Sequence, residues 1–333
     1  MVGGSAPLLP EPPAGARVFV DTPEALDTVA DGIGRAARLA LDVEAGKPRN
    51  APAAVAALIQ IAAPGYTWLI DPLRLQGRLG PLDAALRQGP PVALFDAPGD
   101  LRWLEGAGVG VSAATDLLQV TRGVYGEQDK SLRESLRRHF RVSLDKSGQQ
   151  ADWLARPVPG PLRHYAARDA ELTLALAERY AALFPDLTAL HTYPGGRPAV
   201  PDELPVWLRR SLGGDRAPAY VLAEEDGLPI EADESIPPLL QGAGRGLDLV
   251  RVPWLRARLY RAIAGLDLDE LAPRIAEGLA SPDAVDRAAA ARALGELRAA
   301  GYADALEAAR ADHVPDVARA AARALDALQA EDD

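Results

Sequence analysis

Residues 271–297, LAPRIAEGLASPDAVDRAAAARALGEL, align without a gap on residues 302–328, YADALEAARADHVPDVARAAARALDAL, at an offset of 31. Ile275 falls on Leu306, Arg292 on Arg323, Leu294 on Leu325 and Leu297 on Leu328. A further step back of 31 reaches WLRARLYRAIAGL (254–266), where Arg261, Ile263 and Leu266 take the same places. A fixed period of this length means units that cannot bury their own apolar face and must stack on their neighbours. The pattern within each unit is that of paired helices. The many alanines let such helices approach closely. The C-terminal third is therefore expected to be a small all-α stack over residues 236–330.

The front of the chain obeys another period. RVFV (17–20), RLALDVEA (38–45), AALIQIAA (56–63), YTWLID (66–71) and PVALFDA (91–97) are short apolar runs of strand character. Between the first two, Thr22 offers a helix cap and Pro23 a first helical residue. Pro64-Gly65, set between two apolar runs, reads as a hairpin turn. After about residue 97 the pattern becomes mostly helical. Strands first and helices after predict an α/β domain over 17–188, a mixed sheet flanked by helices. Residues 189–235 are dense in Pro and Gly and read as a linker with some packed pieces. Residues 1–16, MVGGSAPLLPEPPAGA, read as a disordered lead-in.

Composition narrows the function classes. The 333 residues suggest two domains, and 48% hydrophobic residues can supply their cores. No cysteine is present, which removes disulfides, zinc–thiolate sites and thiol nucleophiles. No run approaches the ~18 apolar residues of a membrane span, and the N-terminus has neither the basic start nor the apolar core of a signal peptide. A cytoplasmic protein with no membrane partner is the expectation. The net charge of −11 argues against a chain that coats nucleic acid along its length. Yet residues 130–168 hold nine Lys and Arg against three Asp and Glu, a local basic track in an acidic protein.

Against that background the end of the second strand is odd. In LALDVEAG, Asp42 and Glu44 are two apart and therefore share a face. Paired carboxylates repel, and more so away from water. Taken alone the pair could be a solvated strand edge. VALFDAPGDLRWL is another apolar strand running into acid, with Asp96 and then Asp100 entering a helix, where Asp100 could simply be a cap. In HYAARDAELTLAL, Tyr165 and Asp169 are four apart on one helical face. VSLDKSGQQADWLARPV has no period, yet gathers Lys146, Asp152, Trp153 and Arg156. In SLRESLRRHF, Arg133 and Arg137 are four apart, with Arg138 beside them: a phosphate track or a solvated face.

Together these segments resemble the DEDD superfamily of 3′–5′ exonucleases in its tyrosine-containing branch, and within it ribonuclease D. LALDVEA, ALFDAPGDLRWL and LDKSGQQADWLARPV…HYAARDAEL look like its three motifs, in order, over residues 17–185. The resemblance implies a ribonuclease H-like fold with a mainly five-stranded mixed sheet. It implies that Asp42, Glu44, Asp100 and Asp169 bind metal and that Tyr165 orients the attacking water. Four carboxylates balance two divalent cations, and hard oxygen ligands select Mg²⁺ or Mn²⁺. Two such ions suit an in-line phosphoryl displacement. Asp42 would bridge both, Glu44 and Asp169 would complete one, and Asp100 would support the other. The implied activity releases nucleoside 5′-monophosphates from single-stranded 3′ ends, of RNA rather than DNA. Apart from the resemblance, the basic track offers Arg133, Arg137, Arg138 and Lys146 as candidate phosphate contacts.

The chain departs from the family in three places. Ala45 and Gly46 stand where a bulkier residue is usual. Phe95-Asp96 replaces a common His. No sign of the usual C-terminal nucleic-acid-binding domain is seen, and the repeats, which resemble the short HEAT type, occupy its place. The repeats suit a protein partner or simple stabilisation. Two alternatives stay open: the same chemistry on DNA, and a helical-repeat scaffold whose nuclease has lapsed.

Overall fold

The computed structural model describes residues 7–49, 51–128, 130–142, 148, 151–228 and 236–329. The chain divides into two compact units, one of Met1–Val120 with Lys130–Arg197, the other of Thr121–Asp129 with Pro198–Asp333.

The first unit is built on one mixed seven-stranded sheet. Its strands are β1 (Ala16–Val20), β2 (Leu39–Gly46), β3 (Val55–Ala63), β4 (Tyr66–Ile70), β5 (Val92–Leu94), β6 (Ala113–Asp116) and β7 (Thr192–Pro194), in spatial order β1-β4-β3-β2-β5-β6-β7. The five early apolar runs are β1–β5. β2, β3 and β4 form an antiparallel meander closed at Pro64-Gly65, where Gly65 takes φ +84°. That left-handed turn suits glycine because it lacks a Cβ. The sheet exceeds the five strands expected by β6 and β7. These are only four and three residues long, too short to announce a period.

Helix α1 (Pro23–Arg35) starts as its sequence dictates: the Thr22 hydroxyl accepts from the Ala25 N–H. Its Leu26, Val29 and Ile33 bury against Leu39, Leu41, Ile59, Ile61 and Ile70 on one sheet face, together with Leu82 and Leu86 of α2 (Gly80–Gln88) and Leu101 and Leu104 of α3 (Ala97–Gly106). Next come α4 (Leu117–Tyr125) and α5 (Leu132–His139). The opposite sheet face takes α6 (Gly160–Leu183), through Ala166 and Ala167 against Ala57, Leu58, Leu69 and Trp153. Side chains this small let a long helix lie close to the sheet. Helix α7 (Pro185–Leu190) leads into β7.

Two expectations change. The lead-in is not free where it is described: Leu9 bridges Phe140, and Arg168 of α6 binds Glu11 and the Pro12 carbonyl. The Pro/Gly-rich stretch 189–235 contains β7 and two helices, α8 (Val206–Gly213) and α9 (Ala219–Glu225), with Trp207 and Leu212 fully buried. Proline density marks helix starts here, since Pro205 and Pro218 occupy the caps of α8 and α9.

The second unit continues through α10 (Ile236–Leu249), α11 (Pro253–Gly265), α12 (Ala272–Ala276), α13 (Ala284–Glu296), α14 (Ala303–Arg310) and α15 (Pro315–Gln329). α11, α13 and α15 begin 31 residues apart and pack in that order. A Cβ added at Gly295 of α13 would stand 2.7 Å from the Ala324 backbone of α15. Gly295→Leu should therefore wedge the two helices apart. An overpacking loss of about 1–3 kcal/mol is expected, read as a lower thermal midpoint.

Candidate active site and metal centre

The carboxylates arrive on three elements. On β2, Leu39, Leu41 and Val43 face the α1 side, so Ala40, Asp42 and Glu44 face α6. The ladder between β2 and β3 slips after Glu44, which pairs with Leu58 while Ala45 pairs with Ala56. Ala57 is the extra residue of this bulge. Bulges re-aim the strand that carries them, and here the slip falls where the acidic face ends. Asp100 lies in the first turn of α3, where a carboxylate also meets the positive end of the helix dipole. Asp96 takes the cap position before that helix in the left-handed region, φ 67°. Tyr165 and Asp169 project from α6, one turn apart.

Asp42, Glu44 and Asp169 each offer a carboxylate oxygen, and the three lie within 4.8 Å of one another. Asp100 sits close enough to feel the charges of Asp42, Asp96 and Glu44. Burial is the first cause of every shift in the cluster. It pushes the Glu44 carboxyl to about 8, helped by Asp42 and Asp169. It raises Asp169 to about 7, with Asp42 adding and the Tyr165 hydroxyl opposing. It raises Asp42 to about 6 against the Val43 N–H, and it holds Asp100 well above the usual carboxylate range. The Tyr165 hydroxyl donates to Asp169, and its own ionisation is pushed up by burial and by that carboxylate. Asp169 Oδ1 is buried with no hydrogen-bond partner among the described residues. An all-oxygen set, short of protons at high pH and with an unsatisfied buried oxygen, fits a hard divalent cation.

Arg156 fixes the segment beside this cluster. Its Nη2 donates to the carbonyl of the bulge residue Ala57 at 2.6 Å and to Asp71 Oδ1 at 3.0 Å. Its Nε lies 2.6 Å from Asp71 Oδ2, and Asp71 is fully buried at the end of β4. From this anchor Leu154 lies over Gly46, where an added Cβ would be 2.7 Å from Leu154 Cγ. The space beside the small Ala45-Gly46 pair is thus filled from another segment. Gly148 has no room for a Cβ against the Tyr165 ring.

The other sequence candidates lie elsewhere. Arg133, Arg137 and Arg138 are exposed on α5. That helix ends with His139 edge-on to Tyr180 of α6, about 16 Å along the helix from Asp169 at 1.5 Å per residue. Lys146 lies outside the described residues. Asp96 is exposed and acts on Asp100 and on buried Asp116 as a neighbouring charge. Sequence reasoning passed over Asp71, although it ends an apolar strand as Asp42 does in its own. That shared signal could have found it.

Two outcomes follow for the metal-free protein. Carboxyls whose folded pKa is raised bind more protons folded than unfolded, so stability falls as pH rises from the unfolded value near 4 toward the folded values of about 6 to 8. The thermal midpoint in EDTA should drop between pH 5 and pH 8.5, and Mn²⁺ should restore it most at the higher pH. Asp42→Asn removes one repelling charge. It should raise the EDTA midpoint at pH 8 by about 2–4 °C per kcal/mol of relief while abolishing the Mn²⁺ response. Separately, Arg156→Met strands a buried Asp71 charge and should cost about 3–5 kcal/mol in denaturant unfolding.

The chain was compared with known proteins. The 3′–5′ exonuclease family matches residues 18–181. The exosome complex component 10 homolog of Drosophila melanogaster is 27% identical over 180 residues, 54% of this chain and 19% of that protein. The protein RRP6-like 1 of Arabidopsis thaliana is 27% identical over 159 residues, 47% and 25% of the two chains. The chain thus spans a quarter or less of the length of these relatives. Among solved structures, the catalytic core of RRP6 from Trypanosoma brucei is 20% identical with a TM-score of 0.47, covering 95% of this chain and 79% of that one. Escherichia coli RNase D is 21% identical with a TM-score of 0.44, covering 95% and 75%. The match takes in most of β1, all of β2 to β6, α3 and the acid-bearing turns of α6, so that residues 18–181, about half of the chain, match the 3′–5′ exonuclease family.

Proposed function

We propose that this protein is a metal-dependent 3′–5′ exoribonuclease. The observation that carries the reading is the meeting of Asp42, Glu44 and Asp169 within 4.8 Å, from a strand and a helix far apart in sequence. Asp42, Glu44, Asp100 and Asp169 would hold two divalent ions, Mg²⁺ or Mn²⁺. When bound, the ions would lower the pKa of a water and neutralise the charge developing on the phosphate and on the departing 3′ oxygen. Burial and mutual repulsion make this cluster costly when empty, so cation binding and deprotonation are coupled.

The residues of the chain divide the remaining work. Asp42 lies centrally, its charge felt by Glu44, Asp100 and Asp169, and suits a bridging ligand. The Tyr165 hydroxyl keeps its proton, because its pKa is raised. It therefore orients water by hydrogen bonding rather than removing a proton. Water oxygen bonds to the terminal phosphorus, the P–O3′ bond breaks, and a nucleoside 5′-monophosphate leaves. The shortened strand keeps a 3′ hydroxyl. Exposed Arg133 and Arg137 offer phosphate contacts. The likeness of the three motifs as a set to ribonuclease D favours RNA over DNA. We read residues 17–188 as the nuclease and 236–330 as HEAT-like repeats that take a protein partner.

The test uses 3′-labelled single-stranded RNA and DNA of matched sequence with Mg²⁺, Mn²⁺ or EDTA. Mononucleotide release from RNA, dependent on metal and lost in Asp42→Ala, is expected. A faster rate on DNA would reassign the substrate. Release from neither strand under any metal would overturn the enzyme reading in favour of a scaffold, and a fully active Asp42→Ala would overturn the site.

A further inference from the structure

Tyr165 and Asp169 can meet the β2 acids only if α6 holds one rotation about its axis. At 3.6 residues per turn, a slip of one residue swings both side chains by about 100°. Leu172, Leu176 and Tyr180 are fully buried on the C-terminal half of α6 and hold that end. In the turns that carry Tyr165 and Asp169, the buried apolar residues are Ala166, Ala167 and Ala170, too small and alike to specify the rotation closely.

The polar contacts of the neighbouring helical face supply a fix. Arg17 sits on the edge strand β1 opposite Thr67 of β4, in a cross-strand row that continues through Ala62 of β3 to Ala40 of β2. Asp42 follows Ala40 on that face. The Arg17 fork reaches α6 at two points. Nε and Nη2 donate to the two oxygens of Glu171 at 2.8 and 2.9 Å. Nη1 lies 2.6 Å from His164 Nδ1, which accepts. His164 and Glu171 are seven residues apart, two turns of helix, and the span between them holds Tyr165 and Asp169. One guanidinium thus brackets the part of α6 that carries the acid and the hydroxyl.

Glu171 is well occupied. It also accepts from Thr67 Oγ1 at 3.2 Å and from Arg168 Nη1 at 3.2 Å, four donors in all, and only 6% of its side chain is exposed. It lies two residues from Asp169, but it is the acid with cations, while Asp169 has none among the described residues.

We propose that Arg17 is a positioning residue: its grip on Glu171 and His164 sets the rotation of α6, so that Asp169 and Tyr165 face Asp42 and Glu44. The proposal rests on the metal-site reading above and adds to it a residue remote from the cluster in sequence. Among the described residues Arg17 makes no hydrogen bond or ion pair with Asp42, Glu44, Asp100 or Asp169. Its effect passes through the helix.

The decisive measurement is Mn²⁺ binding to the full chain without nucleic acid, followed by loss of the free-ion EPR signal, alongside steady-state RNA hydrolysis. Arg17→Met keeps bulk and removes the fork. Removing such an outer support is expected to weaken Mn²⁺ binding or lower kcat by about 10–100-fold, with oligonucleotide KM little changed. Arg17→Lys keeps the charge but cannot grip both partners, so it should recover only part of the loss. Arg17→Met combined with Glu171→Gln should be no worse than Arg17→Met alone. Values are taken per folded molecule from circular dichroism. Wild-type Mn²⁺ affinity and kcat in folded Arg17→Met would overturn the proposal. If that variant does not fold, the same result in Arg17→Lys would overturn it. A wild-type chain that binds no Mn²⁺ would overturn the metal site itself, and this proposal with it.

Discussion

Mutual repulsion among half-buried carboxylates is the constraint around which the first unit is arranged. Asp42, Glu44 and Asp169 lie within 4.8 Å of one another, and Asp100 feels two of their charges. Left to themselves these side chains would rotate into water or stay protonated. The fold prevents the first by bringing two acids on a strand, one on a helix start and one on a long helix, each element held by apolar packing behind it. The second is the direction of the raised pKa values, and cations bound as proposed would reverse it.

Cations of the protein are spent elsewhere, on the frame. Arg156 takes buried Asp71 and the free carbonyl of the β3 bulge. Arg17 and Arg168 take Glu171. None of these pairs reaches the cluster. The division is consistent: acids that are paired define positions, and the acids without a cation among the described residues are those proposed to take a divalent ion. A buried ion pair often adds little net stability, but it specifies geometry well, and geometry is what a set of mutually repelling ligands requires.

Several strands of the sheet run into aspartate, among them Asp42 within β2, Asp71 after β4, Asp96 after β5 and Asp116 at the end of β6. The local pattern is alike and the fates differ. Asp42 joins the cluster. Asp71 is sealed beneath Arg156. Asp96 lies exposed before α3. Asp116, buried, accepts from the Leu118 and Gln119 N–H groups of the following helix. An apolar run ending in acid therefore marks a strand end, not a ligand. What separated Asp42 in the sequence was Glu44 on the same face and the likeness of the three distant motifs to a known set. The short strands β6 and β7 and the helices α8 and α9 were hidden for another reason. Three or four residues carry no period, and a stretch rich in proline reads as loop until its Trp207 and Leu212 are seen to bury.

The sequence by itself determined the strand-rich front, the Thr22-capped first helix, the hairpin at Pro64-Gly65 and the helical period of 31 near the end. These depend on local propensity and on periodicity, which one sequence displays in full. It also named the acids and the tyrosine. Only the tertiary structure decided that Asp169 comes to lie beside Asp42, that Leu154 covers Gly46, and that Arg17 grips both turns around the acid-bearing segment of α6. Those facts turn on which faces of separate elements meet. Packing of small alanines permits several such meetings, and the buried ion pairs choose among them.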